Sequence, residues 1–182
     1  MWKNNFLDQL NSSLLEKNIV VIGGDVDGDM VMQMREAFLR LTAKGSPPVN
    51  IHITSPGGGV DVGLDVCDII RSYAGETTGI VFGYANSMAA VILQVCTKRV
   101  AMKHAHILVH HISKRQISLD VLRSRKKTEQ MKEDLEKSQK MIYKILMQKT
   151  GQTLTKIKAA CARDLPMDAR EALLFGLIDE IW

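Results

Sequence analysis

Ser87 stands where an apolar run, Gly79 to Phe82, passes through Gly83-Tyr84-Ala85-Asn86 into the start of a helical pattern. A hydroxyl at such a junction lies near unsatisfied backbone N–H groups and the positive end of a helix dipole, surroundings that suit a nucleophile. Ala85, Ala89 and Ala90 leave the backbone open to a substrate carbonyl, and the Met88 N–H would point toward a developing oxyanion. The same small residues equally serve close packing between strand and helix. A second cluster, Ser55-Pro56-Gly57-Gly58-Gly59, offers consecutive amides at another strand end, the kind of nest that binds anions. It is neither a P-loop nor a GxGxxG turn, since no Gly-Lys-Ser/Thr follows.

His110 ends the run Ile107-Leu108-Val109, which places an imidazole at a sheet edge where a general base can work, while alternation sends His111 to the opposite face. A histidine at a strand end also serves as an ordinary hydrogen-bonded structural residue. His104, His106 and His111 raise the question of a metal, but there is no HExxH and no carboxylate at ligand spacing, so no metal and no cofactor are expected. Among the carboxylates near the C-terminus, Asp168 has the position of a helix N-cap with Glu171 completing a capping box, and Asp179 and Glu180 are expected to be solvated. Asp164 lies between two helical patterns ahead of Leu165-Pro166, where a fixed carboxylate can hold an imidazole tautomer or simply pair with Arg163.

The elements that must position these groups follow from periodicity. The first 110 residues alternate short apolar runs with helical patterns, the mark of a layered α/β fold of βαβ units. Strands are expected at Asn18–Ile22, closed by Gly23-Gly24, then at Val49–Ile53, Gly79–Phe82, Arg99–Met102 and His106–His110, with a last one within Leu177–Trp182. Asp29 is placed to cap a helix through Ala43 with Gly45 just beyond it, and a helix after the glycine turn carries Val62, Val66, Ile69, Ile70 and Tyr73 at core spacing. Ala89–Cys96 reads as a short buried helix. From Leu119 to Lys149 there is neither Gly nor Pro, and Thr128, Met131, Leu135, Ser138, Ile142 and Ile145 recur at spacings of three and four. This predicts one helix of about 45 Å that projects from the domain and packs on a partner subunit.

Composition bounds the rest. The chain has 182 residues, 46% apolar and 24% charged, which fits one globular domain over 1–182 with no repeat or linker. No stretch approaches the roughly 18 consecutive apolar residues of a membrane span, and the N-terminus has no signal-peptide block, so a cytoplasmic protein is expected. Cys67, Cys96 and Cys161 form no CxxC pair and read as reduced core thiols. The net charge of +4 is concentrated: Lys114 to Lys149 holds eleven Lys/Arg against five Asp/Glu. Only Tyr143 is interleaved with those cations, so stacking platforms for a nucleic acid are lacking and a solvated helix face is expected.

Taken in order, the glycine-rich amide turn, serine elbow, strand-end histidine and Arg-Asp pair resemble the proteolytic subunit of the Clp protease family. The matching residues are Ser55-Pro56-Gly57-Gly58, Ala85-Asn86-Ser87-Met88, Leu108-Val109-His110, Arg163-Asp164 and Ala172-Leu173-Leu174-Phe175-Gly176-Leu177-Ile178-Asp179, within a likeness running from Leu14 to the C-terminus. The resemblance implies a Clp/crotonase-like α/β fold, a compact head of stacked βαβ units with the 119–149 helix as projecting handle. It implies a serine endopeptidase with Ser87 as nucleophile, His110 as general base, Asp164 as orienting residue, and the Gly58 and Met88 amides as oxyanion hole. It further implies unfolded polypeptide or peptide substrates and a homo-oligomer of stacked seven-membered rings fed by an AAA+ unfoldase. Only a few residues precede the first matching helix, so weak coupling to such an ATPase is expected. The segment His111-Ile112-Ser113-Lys114-Arg115-Gln116 lacks the Gln-Pro and glycine-rich strand of the family, which leaves ring stacking and the substrate-holding strand without a sequence counterpart. A crotonase-like acyl-CoA enzyme, which needs paired amides but no triad, and a non-catalytic ring subunit are the rival readings.

Overall fold

A mostly parallel seven-stranded sheet carries the site, and a computed structural model describes the backbone of residues 2–113 and 116–182, with side chains from residue 9 onward. Lys114 and Arg115, the first two cations of the basic run, lie outside the described residues. The strands are β1 (Ile19–Val26), β2 (Val49–Gly58), β3 (Thr77–Asn86), β4 (Lys98–Ala101), β5 (His106–Leu108), β6 (Met167–Asp168) and β7 (Glu180–Ile181). The main path runs β1-β2-β3-β4-β7. Strand β3 has two neighbours on one edge: Thr78–Val81 pairs with β4, and Tyr84–Asn86 pairs with β5, to which β6 is antiparallel.

The helices are α1 (Trp2–Glu16), α2 (Gly28–Ala43), α3 (Val60–Ser72), α4 (Met88–Leu93), α5 (Leu119–Arg123), α6 (Arg125–Thr150), α7 (Leu154–Arg163) and α8 (Ala169–Phe175). The core joins strand residues Ile22, Ile51, Ile53 and Ile107 to Met34 and Leu41 of α2, Met88, Ile92 and Leu93 of α4, and Leu146 of α6, all fully buried. Burial alternates along β2, so its other face stays open, where His52 packs on Phe82 at 4.6 Å between ring centroids and Phe82 remains 46% exposed. The three cysteines are free and buried; burial pushes the thiols of Cys67 and Cys96 up to about 12 and that of Cys161 to about 11, which keeps them protonated and inert.

Several expected boundaries move. β1 does not close at Gly23-Gly24 but continues to Val26, with a register irregularity between Gly23 and Asp25. Asp27, not Asp29, caps α2, because its side chain accepts the Met30 amide; Gly45 does sit just past the helix at φ 90°. The glycine cluster is the end of β2 rather than a free turn, since pairing with Asp25 and Val26 of β1 carries the strand on to Gly58. Helix α4 stops at Leu93, three residues before the expected end at Cys96.

The expected helix over 119–149 is broken at Ser124, whose backbone is extended at φ −111°, ψ 109°. A serine there can cap, and it does: its side chain accepts the Lys127 amide, while Ser118 caps α5 through Val121. Two capping hydroxyls thus replace continuous helix. In α6 the stripe divides: Ile142, Tyr143, Ile145 and Leu146 are buried, whereas Met131 and Leu135 are only half-buried.

Asp179 and Glu180 are exposed, as expected, and each also holds an ion pair. Arg99, 8% exposed, donates from its guanidinium to both oxygens of Asp179, to Gln94 Oε1 at 2.7 Å and to the carbonyls of Gly176 at 2.8 Å and Lys149 at 3.2 Å. Glu180 pairs with Lys98. Burial would raise the Asp179 carboxyl, but the hydrogen bonds and charge of Arg99 outweigh it and hold it below its usual range.

Candidate active site

Strand β3 ends at Asn86, and the chain turns through Ser87 directly into α4. Ser87 takes φ 55°, ψ −122°, a conformation that a non-glycine residue pays about 1–3 kcal/mol to hold and that occurs at sharp nucleophile turns. What over-determines it is the neighbouring backbone: the Ser87 N–H donates to the Leu108 carbonyl of β5 at 2.8 Å, and the Ser87 carbonyl accepts from Val91. Although Ser87 occupies the N-cap position, its side chain makes no capping hydrogen bond, so the hydroxyl is not committed to the helix. Met88 opens α4, and an N–H at that position has no acceptor within its own helix.

The end of β2 lies against this elbow. Ser55, fully buried, donates its hydroxyl to the Gly24 carbonyl at 2.6 Å and accepts the Gly57 amide at 3.1 Å, which pins the strand end to β1. Gly57 has φ 90°, and a Cβ there would meet Asn86 O at 2.6 Å, Ser87 Cβ at 2.7 Å and Met88 N at 2.8 Å. A Cβ on Gly58 would lie 2.3 Å from the Val26 carbonyl oxygen. Both glycines are required for contact, one against the serine elbow and the other against β1.

β5 ends at Leu108, two residues earlier than the alternation pattern suggests, so His110 is held outside the sheet. Its Nδ1–H donates to the carbonyl of the next residue, His111, at 2.7 Å. A carbonyl can only accept, so Nδ1 is the donor here, and in the neutral form of the ring this leaves the lone pair on Nε2. His111 goes elsewhere: its Nδ1 is 2.8 Å from the Tyr143 hydroxyl of α6, and the rings pack edge to face at 6.2 Å.

A cavity of about 390 Å³ opens between these elements. Ser87, Met88, Gly57, Gly58 and His110 line it, with Val91, Ile142 and Leu146 as an apolar wall and Asp25 and Asp27 also in the lining. Four of the five residues singled out from sequence, Ser87, His110, Gly58 and Met88, therefore share one cavity. The fifth, Asp164, is not part of its lining; it ends α7 in the left-handed region at φ 49°, ψ 36°, with an exposed side chain. Asp168, by contrast, makes the expected capping box with Glu171. The importance of Gly57 beside Ser87 and the presence of Asp25 and the α6 wall escaped the sequence reading, because each arises from contacts between distant segments. Of the other histidines, His106 stacks on Tyr84 at 5.7 Å and His52 on Phe82; among the described residues no group of three His, Cys, Asp or Glu converges as metal ligands would.

This arrangement combines an uncommitted hydroxyl on a strained turn, an imidazole held through Nδ1, and a helix-start amide beside a glycine strand end. It suits nucleophilic attack on a carbonyl with stabilisation of the oxyanion. Comparison with known proteins points the same way. A family model described as Clp protease matches residues 3–182. The chain is 33% identical over 172 residues to an ATP-dependent Clp protease proteolytic subunit 3 of Synechococcus sp. (strain CC9902), covering 91% of this chain and 82% of that one. It is 30% identical over 176 residues to an ATP-dependent Clp protease proteolytic subunit 1 of Streptomyces coelicolor (strain ATCC BAA-471 / A3(2) / M145), covering 96% and 78%.

Proposed function

The chain belongs to the Clp protease family, and on that premise we propose that it is a serine endopeptidase in which Ser87 is the nucleophile and His110 the general base. The carrying observation is the Ser87 elbow: a strained backbone and a hydroxyl left free of its capping role, in one cavity with His110. His110 Nε2 takes the proton as Ser87 Oγ attacks the peptide carbonyl. The Gly58 and Met88 amides hold the oxyanion, and each such donor is worth on the order of 10²–10³ in kcat. His110 then returns the proton to the leaving amine, and water releases the acyl group by the same steps.

Asp164 is proposed as the third member, supplying negative charge that favours the imidazolium. A neutral imidazole has one N–H, and in this structure the His111 carbonyl has it. The carbonyl thus fixes the tautomer in the resting enzyme, and direct bonding of Asp164 to Nδ1 requires the ring to leave that carbonyl.

We read residues 1–182 as one peptidase domain that assembles into homo-oligomeric rings enclosing the sites, with heptamers as the expected unit and Met131 and Leu135 of α6 meeting a partner subunit. Unfolded chains and peptides are the substrates. An AAA+ unfoldase is the partner suggested by the ATP dependence in the relatives' names, and short peptides, which need no unfolding, are cleaved without it. No described helix is long and apolar enough to cross a membrane; a cytoplasmic setting fits this reading. An acyl-CoA enzyme would use the paired amides but has no use for the Ser87–His110 pair, and a non-catalytic subunit has no use for the strained elbow.

The test is active-site labelling. A fluorophosphonate should modify Ser87 and block peptide hydrolysis, and Ser87→Ala should lose both. An adduct that maps elsewhere, or coenzyme A binding without peptide hydrolysis, would overturn the assignment.

A further inference from the structure

The hydrogen bonds beyond β5 point to two residues of α6 that no motif identifies. After Leu108 no strand ladder holds the chain through residues 109–113, yet His110 must keep its ring in the cavity for a base to work. Two contacts fix the segment that follows it. The Ile112 amide donates to Gln139 Oε1 at 2.7 Å, and the His111 ring bonds the Tyr143 hydroxyl at 2.8 Å. Gln139 and Tyr143 are four residues apart, on one face of α6, and the next residues along that wall, Ile142 and Leu146, line the cavity itself. Between the two anchored groups lies the His111 carbonyl, the acceptor of the His110 Nδ1–H.

Gln139 carries a second signal. Its Nε2 is buried with no hydrogen-bond partner among the described residues. Turning the amide over would leave that atom no better placed and would set an NH2 against the Ile112 N–H, donor to donor, so the carbonyl oxygen must face Ile112. An amide held at this position with one end unpaired is held for what the other end accepts.

We infer that Gln139 and Tyr143 are positioning residues that present the His111 carbonyl to His110 and so select the imidazole tautomer with Nε2 free toward Ser87. The inference rests on the peptidase reading for its catalytic consequence, but the tautomer is a physical state of the protein whether or not it turns over. It gives the backbone the duty that a carboxylate has in other triads.

The experiment uses the full chain with 15N-labelled histidine, the His110 signals being assigned by their loss in His110→Gln. In the wild type at a pH where His110 is neutral, Nδ1 should carry the proton. Tyr143→Phe keeps the ring and removes the hydroxyl; Gln139→Met keeps the volume and removes the acceptor. In both, the His110 signals should move toward a mixture of tautomers, and kcat on a short fluorogenic peptide should fall roughly 10- to 100-fold with KM changed less than about twofold. Gln139→Glu, which retains an acceptor for Ile112, should recover the tautomer and most of kcat; a merely structural role would not produce that rescue together with the spectral change. A wild-type His110 protonated on Nε2, or variants whose His110 spectrum and kcat match the wild type, would overturn the inference. A wild type that fails to hydrolyse peptide or label at Ser87 defeats the peptidase reading instead, and the spectra still decide the tautomer.

Discussion

Gly57 and Ser87 face each other across the junction of β2 and α4 so closely that a Cβ on the glycine would lie 2.7 Å from the serine Cβ. The contact ties the glycine strand end to the conformation of the nucleophile. Gly57→Ala should therefore do damage on two counts, a positive φ of 90° that Ala resists and a collision with the Asn86 carbonyl and Met88 amide. We expect a loss of about 1–3 kcal/mol in stability and at least tenfold in kcat. Gly28→Ala is the control: nothing lies within 4 Å of its Cβ, so unfolding midpoints and turnover should stay near wild type. Equal effects in the two variants would mean that the contact does not shape the elbow.

Replacing Ser87 separates strain from chemistry. Both Ser87→Ala and Ser87→Gly should lose peptide hydrolysis by on the order of 10⁶ in kcat. Only glycine relaxes the backbone at φ 55°, so Ser87→Gly should exceed Ser87→Ala in stability by about 1 kcal/mol by chemical denaturation. Equal stabilities would show that the turn stores no strain.

Asp164 and Asp168 should fail differently. Because the His111 carbonyl already selects the His110 tautomer, Asp164→Asn should lower kcat by about 10- to 100-fold rather than the roughly 10⁴ that a wrong tautomer costs. Asp168→Ala removes the cap on the Glu171 amide and should cost about 1 kcal/mol with kcat unchanged. A 10⁴ loss in Asp164→Asn would make the carboxylate, not the carbonyl, the orienting group during turnover.

The Arg99–Asp179 clasp sets an acid limit. The folded state holds the Asp179 carboxyl below its ordinary value of 3.8, so its contribution to stability is fully present above that value and is lost as pH falls through the depressed one. Wild-type stability should therefore drop on acidification below about pH 4, and Asp179→Asn should start lower and fall less over the same window. Parallel pH curves for the two proteins would contradict the linkage. Arg99→Met, which strands Gln94 Oε1 and two carbonyls while leaving the exposed Asp179 to water, should destabilise by about 1–3 kcal/mol at neutral pH.

The stripe on α6 supports two separate roles. Met131 and Leu135 are half-buried, whereas Ile142 belongs to the cavity wall. Met131→Asp with Leu135→Asp should lower the assembly state by native mass spectrometry while each subunit stays folded; Ile142→Asp should instead lower stability within the subunit. A wild type that runs as a monomer would refute the contact.

Residue type and local spacing alone determined the βαβ order, the Asp168–Glu171 capping box, the Gly45 helix end and the candidates Ser87, Met88 and His110, because each is written within a few neighbouring positions, whereas Gly58 was picked out of its glycine cluster only by the family resemblance. The break at Ser124 was also local, a capping hydroxyl inside a helical pattern, but helix propensity masked it. Tertiary structure decided the rest. The end of β2 became strand because β1 pairs with it, Gly57 became indispensable because Ser87 packs against it, and Asp179 became an ion-pair partner because the buried Arg99 turns toward it across 80 residues of chain. The acceptor for His110 is the clearest case: a motif pointed to a distant carboxylate, whereas the fold supplies the adjacent carbonyl, held in place by Gln139 and Tyr143 of a helix that begins fifteen residues later. Periodicity shows which faces of an element are apolar; only packing shows which hydrogen-bond partner arrives first.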